Sequence, residues 1–486
     1  TEKAVNPTDE AATAHETEKL LNGSFSLNEA IESCGFGKFQ WIVSGIGGFA
    51  WVACAMVVML LSVLSPSLEC EWKLTPVEQA LSTTSLFLGW MISSPVWGRI
   101  CDLYGRKKGI VAASIVGLVS GVLTAFSPNY TLFLVARFAV GCSVGGLPQS
   151  VTLTAEFLPT SVRARCLTLI KCFWAIGAAA EAGLALVVLP TLGWRWLVSL
   201  SAVPLAGLIV VCWWMPESPR FDVASGRLAE AKATLERIAK CNGKSLPEGE
   251  LVEEIETSST NMRELLYPKH RRTTIQLFII WTLLGLLYFA ISIYTPILLQ
   301  SDRCNSISET EEDAQTRLRR AVDTTCKQLS TESYMNIIIT TMAEVPGYIL
   351  TVFTIEWIGR RGTFAGGFAL YAVCFAAMCF CLPKHVIVAL LFVARSSIGA
   401  IFQTGYIYTS EVYPTTLRAQ GLGIGTGFGR MGSMIVPIIV QGLAPIDMRL
   451  PAVACCVGGI IAAITSALLP VETRPKKEKT NTKETA

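Results

Sequence analysis

Four ionisable residues fall deep inside apolar runs of this sequence: Arg137, Glu181, Glu344 and Arg395. A charge in hydrocarbon is costly, so such positions mark ion pairs, proton carriers or substrate contacts. Arg137-x3-Gly141 recurs as Arg395-x3-Gly399, a repeat that suits either coupling or a buried structural pair. Glu181 suits a carrier of protons or organic cations, or a partner for an arginine. Glu344 precedes Pro346-Gly347, where a break in the helix would expose it to a cavity. Aromatic residues lie at similar depth, including Trp51, Trp174, Trp281, Tyr288, Phe289, Tyr294, Phe402, Tyr406 and Tyr408. Beside a carboxylate they would box an organic amine through cation–π contacts; otherwise they are packing. Gln149 and Gln403 could donate hydrogen bonds to a polar solute.

A second set of charges sits at the ends of the runs, and it repeats. Asp102-Leu-Tyr-Gly105-Arg106-Lys107 returns as Glu356-Trp-Ile-Gly359-Arg360-Arg361. Glu156-Phe-Leu-Pro159-x3-Arg163 returns as Glu411-Val-Tyr-Pro414-x3-Arg418. Pro216-Glu-Ser-Pro-Arg220 returns as Pro470-Val-Glu-Thr-Arg474, and every offset is 254 or 255 residues. Gathered at one membrane–water boundary, these acids and bases would form a gate. An isolated exposed pair contributes only about 0–1 kcal/mol, so gating needs the whole cluster.

The elements that must hold these residues are long apolar segments. Hydrophobic residues make up 51% of the 486 and charged residues 16%, against about 25% charged in soluble proteins. That excludes a disordered chain, a nucleic-acid binder driven by bulk charge and most soluble enzymes. Apolar runs cover 41–64, 77–99, 109–126, 131–155, 168–190 and 196–215, then 274–300, 334–357, 363–382, 386–409, 419–444 and 449–469. About 20 residues cross a bilayer as a helix, and none of these runs alternates as a barrel strand would. The fold class is an all-α membrane protein of twelve transmembrane helices. The repeat divides it into a tail (1–38), a six-helix half (39–215), a linker (216–272), a second six-helix half (273–470) and a tail (471–486). Basic residues concentrate in the loops after the even-numbered spans, which puts those loops and both termini in the cytoplasm. The tail 1–38 is polar, so no leader is expected within it. In the linker, Ser225–Lys240 reads as an amphipathic helix with Leu228, Ala231, Leu235 and Ile238 on one side. Cys304 and Cys326 share an exterior loop and could form a disulfide. With three histidines and no Cys/His cluster, no metal site is expected.

The motif Gly98-x3-Asp102-x2-Gly105-Arg106-Lys107-Lys108 resembles the signature of the major facilitator superfamily. The Glu-x2-Pro-x3-Arg elements and Pro-Glu-Ser-Pro-Arg are similar to its sugar-porter branch. Gly35-Phe-Gly-Lys-Phe-Gln40, Gly145-Gly-Leu-Pro-Gln-Ser-Val-Thr152 and Gly193-Trp-Arg-Trp196 narrow the resemblance to the synaptic-vesicle-2-related family. Phe173-Trp-Ala-Ile-Gly177 and the stretch Gln403 to Pro414 agree, and the likeness covers roughly 26–474. It implies two rocking six-helix halves, a site between them and a synaptic or other secretory vesicle membrane. It also implies that Asp102 caps the start of span 11, near Ala419–Gly421. That family carries an Asp and a Glu three residues apart in span 1, where this chain has Cys54 and Val57. If those acids carry protons or bind cations, the chain has lost that apparatus or moved it to Glu181 and Glu344.

The sequence thus points to a secondary transporter of a small organic solute, acting as a monomer by alternating access. It has no enzymatic nucleophile–base set, cofactor motif or nucleic-acid partner. Glu181, Glu344 and the aromatics favour an organic cation; Arg137 and Arg395 suit an organic anion. The alternative is a transporter-fold vesicle protein that binds or traffics without turnover.

Overall fold

The computed structural model describes residues 24–252, 262–300 and 329–473. Ten helices in it are long and apolar enough to cross a membrane. They resolve into the twelve expected spans for two reasons. The stretch Thr331–Ala377, 47 residues long, holds two spans that meet at Gly359. Pro76–Tyr104 is 29 residues long but lies outside the apolar set, because Gln79, Ser82, Thr83, Thr84, Ser85, Ser93 and Ser94 dilute it.

Spans 1 to 6 are Lys38–Trp72, Pro76–Tyr104, Arg106–Ala125, the pair Tyr130–Val144 and Gln149–Glu156, Thr160–Thr191 and Trp194–Trp214. Span 7 is Pro268–Gln300. Span 8 begins as Thr331–Met342 and continues in the helix Glu344–Ala377, whose part beyond Gly359 is span 9. Lys384–Val412, Thr415–Leu443 and Leu450–Ala467 are spans 10 to 12. Span 1 runs about two turns past the apolar run that announces it. The break in span 8 falls at Ala343, ahead of Pro346. A proline has no N–H to give the carbonyl four residues back, so the ladder fails upstream of it. Spans 2 and 11 pack across the two halves, as do spans 5 and 8.

Two glycines turn the chain between spans 2 and 3 and between spans 8 and 9. Gly105 has φ +106° and Gly359 φ +84°, left-handed values that an L side chain resists. A carboxylate from further along the chain sits against each, Glu217 at Gly105 and Glu472 at Gly359. Each accepts the first backbone N–H groups of the following helix. Lys107 N donates to Glu217 at 3.0 Å, and Arg360 N and Arg361 N donate to Glu472 at 2.8 and 3.1 Å. A negative group at a helix start satisfies orphan donors and the macrodipole together.

A small module lies under the first half, on the face where the described chain begins and ends. Ser24–Ser26 pairs parallel with Glu250–Val252, and a capping box at Ser26 starts the helix Leu27–Cys34. The linker helix is Leu228–Asn242, preceded by the short helix Pro219–Ala224. Its start lies three residues later than expected because Gly226, at φ +72°, turns the chain. Ala231, Leu235 and Ile238 are buried as their spacing requires, whereas Leu228 is only partly covered. Asn242 ties the module to span 1, accepting from Phe39 N and donating to Cys34 O and Gln40 Oε1.

Candidate functional site

Each half buries one arginine at an equivalent place. Arg395 donates to Glu344 at 3.2 Å and to Ser292 Oγ at 2.8 Å. The other Glu344 oxygen accepts from the Tyr288 and Tyr348 hydroxyls at 2.9 and 3.2 Å. Close packing of spans 8 and 10 makes this possible: a Cβ on Gly347 would stand 2.2 Å from the Ser396 carbonyl. The first half repeats that approach, where a Cβ on Gly89 would stand 2.3 Å from the Phe138 carbonyl. Its arginine, however, is poorly answered. Among the described residues Arg137 Nη2 donates to the Val57 carbonyl alone, at 3.5 Å, its guanidinium lies 6.0 Å from the centre of the Phe133 ring, and its Nε has no partner. Glu181 is bonded to Ser201 at 2.8 Å rather than paired with Arg137, and its second oxygen has no partner. Both residues are about 1% exposed. The span 1 position of Val57 is thus beside Arg137.

The central cavity lies between the halves and is partly open to solvent. Trp174, Tyr288 and Tyr406 line it, together with Trp51, Trp90, Trp281, Phe289, Tyr348 and Phe402. Its charged lining residues are Lys171 from span 5 and Arg430 from span 11. Lys171 Nζ lies 3.8 Å from the centre of the Trp51 ring and 4.3 Å from that of Tyr406. Arg430 stands over Trp90 at 4.9 Å. Such contacts are worth up to about 2 kcal/mol when desolvated, but they leave the charge uncompensated. Among the described residues no carboxylate lines the cavity, and no ion pair involves Lys171 or Arg430. The Arg430 Nε and the indole N–H groups of Trp51 and Trp90 have no partner either. The cavity is therefore rich in donors and aromatic faces.

At the face carrying the chain ends, the repeated charges form one cluster per half. Arg106 bridges Asp102 at 3.2 Å and Glu156 at 3.3 Å. Arg360 holds Glu411 through two bonds of 2.6 and 2.8 Å, and Thr473 donates to the same carboxylate. Glu156 keeps only 11% of its side chain exposed, so its bond to Arg106 is largely shielded from water. Lys107 and Arg361 turn to backbone carbonyls, of Trp213 and Ala467. Several expectations change. Arg163 makes no ion pair among the described residues; it donates to the Leu158 carbonyl that closes span 4, with Glu32 and Glu156 within electrostatic reach. Asp102 caps Arg106 within its own half, with most of its side chain exposed, rather than the start of span 11. Glu356 and Arg418 are exposed, without a described ion pair.

Of the interior residues singled out from sequence, Arg137, Glu181, Glu344 and Arg395 all lie behind the cavity wall. Gln403 donates to Thr168 of span 5 at 2.9 Å, joining the halves instead of facing a solute. Gln149 is outside the lining. The span 1 cysteine, Cys54, is within electrostatic reach of both Lys171 and Arg430. Cys304 and Cys326 lie outside the described residues. Lys171 and Arg430 themselves were legible as basic residues within the runs 168–190 and 419–444. Lys171 lies close enough to a run's end to read as a boundary charge, and Arg430 sits among glycines that read as helix packing.

Two six-helix halves, charge clusters at one face and a cavity between the halves define a membrane transporter rather than an enzyme. The family model for sugar (and other) transporters matches residues 39–464, and the chain belongs to that family of the major facilitator superfamily. Among its relatives, the synaptic vesicle 2-related protein of Rattus norvegicus is 42% identical over 475 residues, covering 97% of this chain and 85% of the relative. Its Xenopus laevis counterpart is 40% identical over the same shares. Among solved structures, the partially occluded inward-open xylose transporter XylE from E. coli superposes with a TM-score of 0.71 at 16% identity. That match covers 90% of this chain and 99% of XylE, and it is a likeness of fold.

Proposed function

We propose that this protein moves an organic anion with an aromatic or otherwise apolar body, held between Lys171 and Arg430 and carried by alternating access. The observation that carries this reading is the pair of cations, one from each half, in an aromatic cavity without a lining carboxylate. An organic cation was the first expectation, but it needs an acid to face. Glu344 is engaged by Arg395 and two tyrosines, and Glu181 does not line the cavity. The aromatic box is also occupied, since Lys171 already lies over Trp51 and Tyr406. A neutral sugar would leave both cations unpaired. Tyr288 and Tyr348 would pass substrate contact to the Arg395–Glu344 pair behind the wall. The face carrying the termini would be cytoplasmic, following its basic loops, and the membrane that of a secretory vesicle, following the relatives' name. One chain builds the whole cavity, so a monomer suffices.

The test is thermal stabilisation of the purified protein by aromatic sulfonates and carboxylates, amines and sugars. Anions are expected to stabilise it, with the effect lost in Lys171→Gln and Arg430→Gln. Stabilisation by an amine or a sugar alone would overturn the reading. The missing acids at Cys54 and Val57 keep a second reading in view, a binding or trafficking partner without turnover; anion binding with no flux in sealed vesicles would select it.

A further inference from the structure

The two cavity cations belong to opposite halves, and that has a consequence for what the carrier does when empty. Lys171 stands on span 5 and Arg430 on span 11, each half-buried and within electrostatic reach of the other. Trp51, Tyr406 and Trp90 cover them with ring faces that carry no net charge. The nearby Arg395–Glu344 pair is balanced within itself and adds nothing to offset them. While the cavity is open, water screens the two charges. Occlusion expels that water and encloses both groups in apolar walls, so that closing the empty cavity requires burial of the unpaired Arg430 charge together with burial of the Lys171 charge or loss of its proton. With an organic anion between them, the enclosed charge is compensated and the halves are drawn together.

We propose that this protein is an obligate exchanger, whose anion-loaded form crosses the membrane and whose empty form does not. One organic anion would then enter for each that leaves, and the exchange of equal charges is electroneutral. The inference rests on the anion reading above. Cys54, buried on span 1 within electrostatic reach of both cations, is the position at which an added carboxylate would let the empty carrier close.

The experiment uses the full chain in proteoliposomes loaded with radiolabelled naphthalene-1-sulfonate, with the potential clamped by potassium and valinomycin. Efflux is measured into buffer with and without the unlabelled sulfonate outside. External sulfonate is expected to speed efflux by about tenfold or more, the ratio that a single decade of barrier difference gives. In Cys54→Asp the ratio should fall towards one, with efflux into empty buffer rising. Cys54→Glu, which brings the same charge on a longer side chain, should lower the ratio in the same direction if the first variant fails to fold. Equal efflux with and without external sulfonate, from protein that the sulfonate stabilises, would overturn exchange and leave the anion site standing. No stabilisation and no efflux with this probe would overturn the anion reading, and exchange with it.

Discussion

Arg137 and Arg395 occupy the same place in the two halves, 258 residues apart, each followed by a residue whose carbonyl meets a glycine of the neighbouring span. Around Arg395, span 8 supplies a carboxylate in contact, span 7 a serine, and two tyrosines close the far side. Around Arg137, the residue equivalent to Glu344 is Leu86, the acid stands instead on span 5, and span 1 offers a backbone carbonyl. Helix packing is thus the same in the two halves while charge compensation is not. A repeat constrains backbones first, because close helix approach tolerates no added atom, whereas a buried charge can be answered from several directions.

The sharpest way to break this comparison is to remove the two acids. Glu344→Ala strands Arg395 in the core and is expected to cost about 3–5 kcal/mol, read as loss of folded protein in detergent on heating. Glu181→Ala is expected to cost only about 1–2 kcal/mol, since Glu181 makes one side-chain bond and no close ion pair. Equal losses would mean that the two arginines are answered alike. Next come the glycines: Gly89→Ala and Gly347→Ala should each destabilise by about 1–3 kcal/mol, and by similar amounts, because the new methyl meets a carbonyl in both. A harmless substitution at either would separate the halves in packing too. Val57→Glu would sharpen the contrast by offering Arg137 an acid of its own. Melting temperature should rise, by the equivalent of about 1 kcal/mol, and a fall would show that Arg137 is already satisfied.

The smallest effect concerns a contact made by the tail beneath the first half. Glu32 accepts the Thr160 N–H and hydroxyl at the start of span 5, at 2.6 and 2.5 Å, and this holds its carboxyl below the usual glutamate value. A depressed folded pKa contributes stability above the ordinary glutamate range and loses it as pH falls through the folded value. Glu32→Gln should therefore melt below the parent protein at neutral pH and converge with it as pH falls through the folded value. The shift should be modest, since the pair is exposed. A constant gap across that range would show that the contact is steric.

The twelve spans and the two-fold repeat were legible because both are written in one dimension, as apolar length and fixed offset. The buried arginines were legible for the same reason. What could not be read was which side of each helix faces the cavity. Glu181 and Glu344 look like substrate acids in the sequence, and only their helices' rotation places them behind the wall. Rotation also turns Lys171 and Arg430 inward, although one lies near a run's end and the other among packing glycines. The same limit applies at the gate, where the spacing that suggested Arg163 facing Glu156 fits equally well its bond to Leu158 O.

The parallel strand pair Ser24–Ser26 with Glu250–Val252, and the Asn242 bonds to the start of span 1, bear on how motion could be watched. They tie the linker helix to the start of span 1 and so to the first half. Cys241, exposed at the end of that helix, is then a ready attachment point for a spin label or fluorophore that travels with the first half. Paired with a second label on the other half, it would turn each transport cycle into a measurable change of distance.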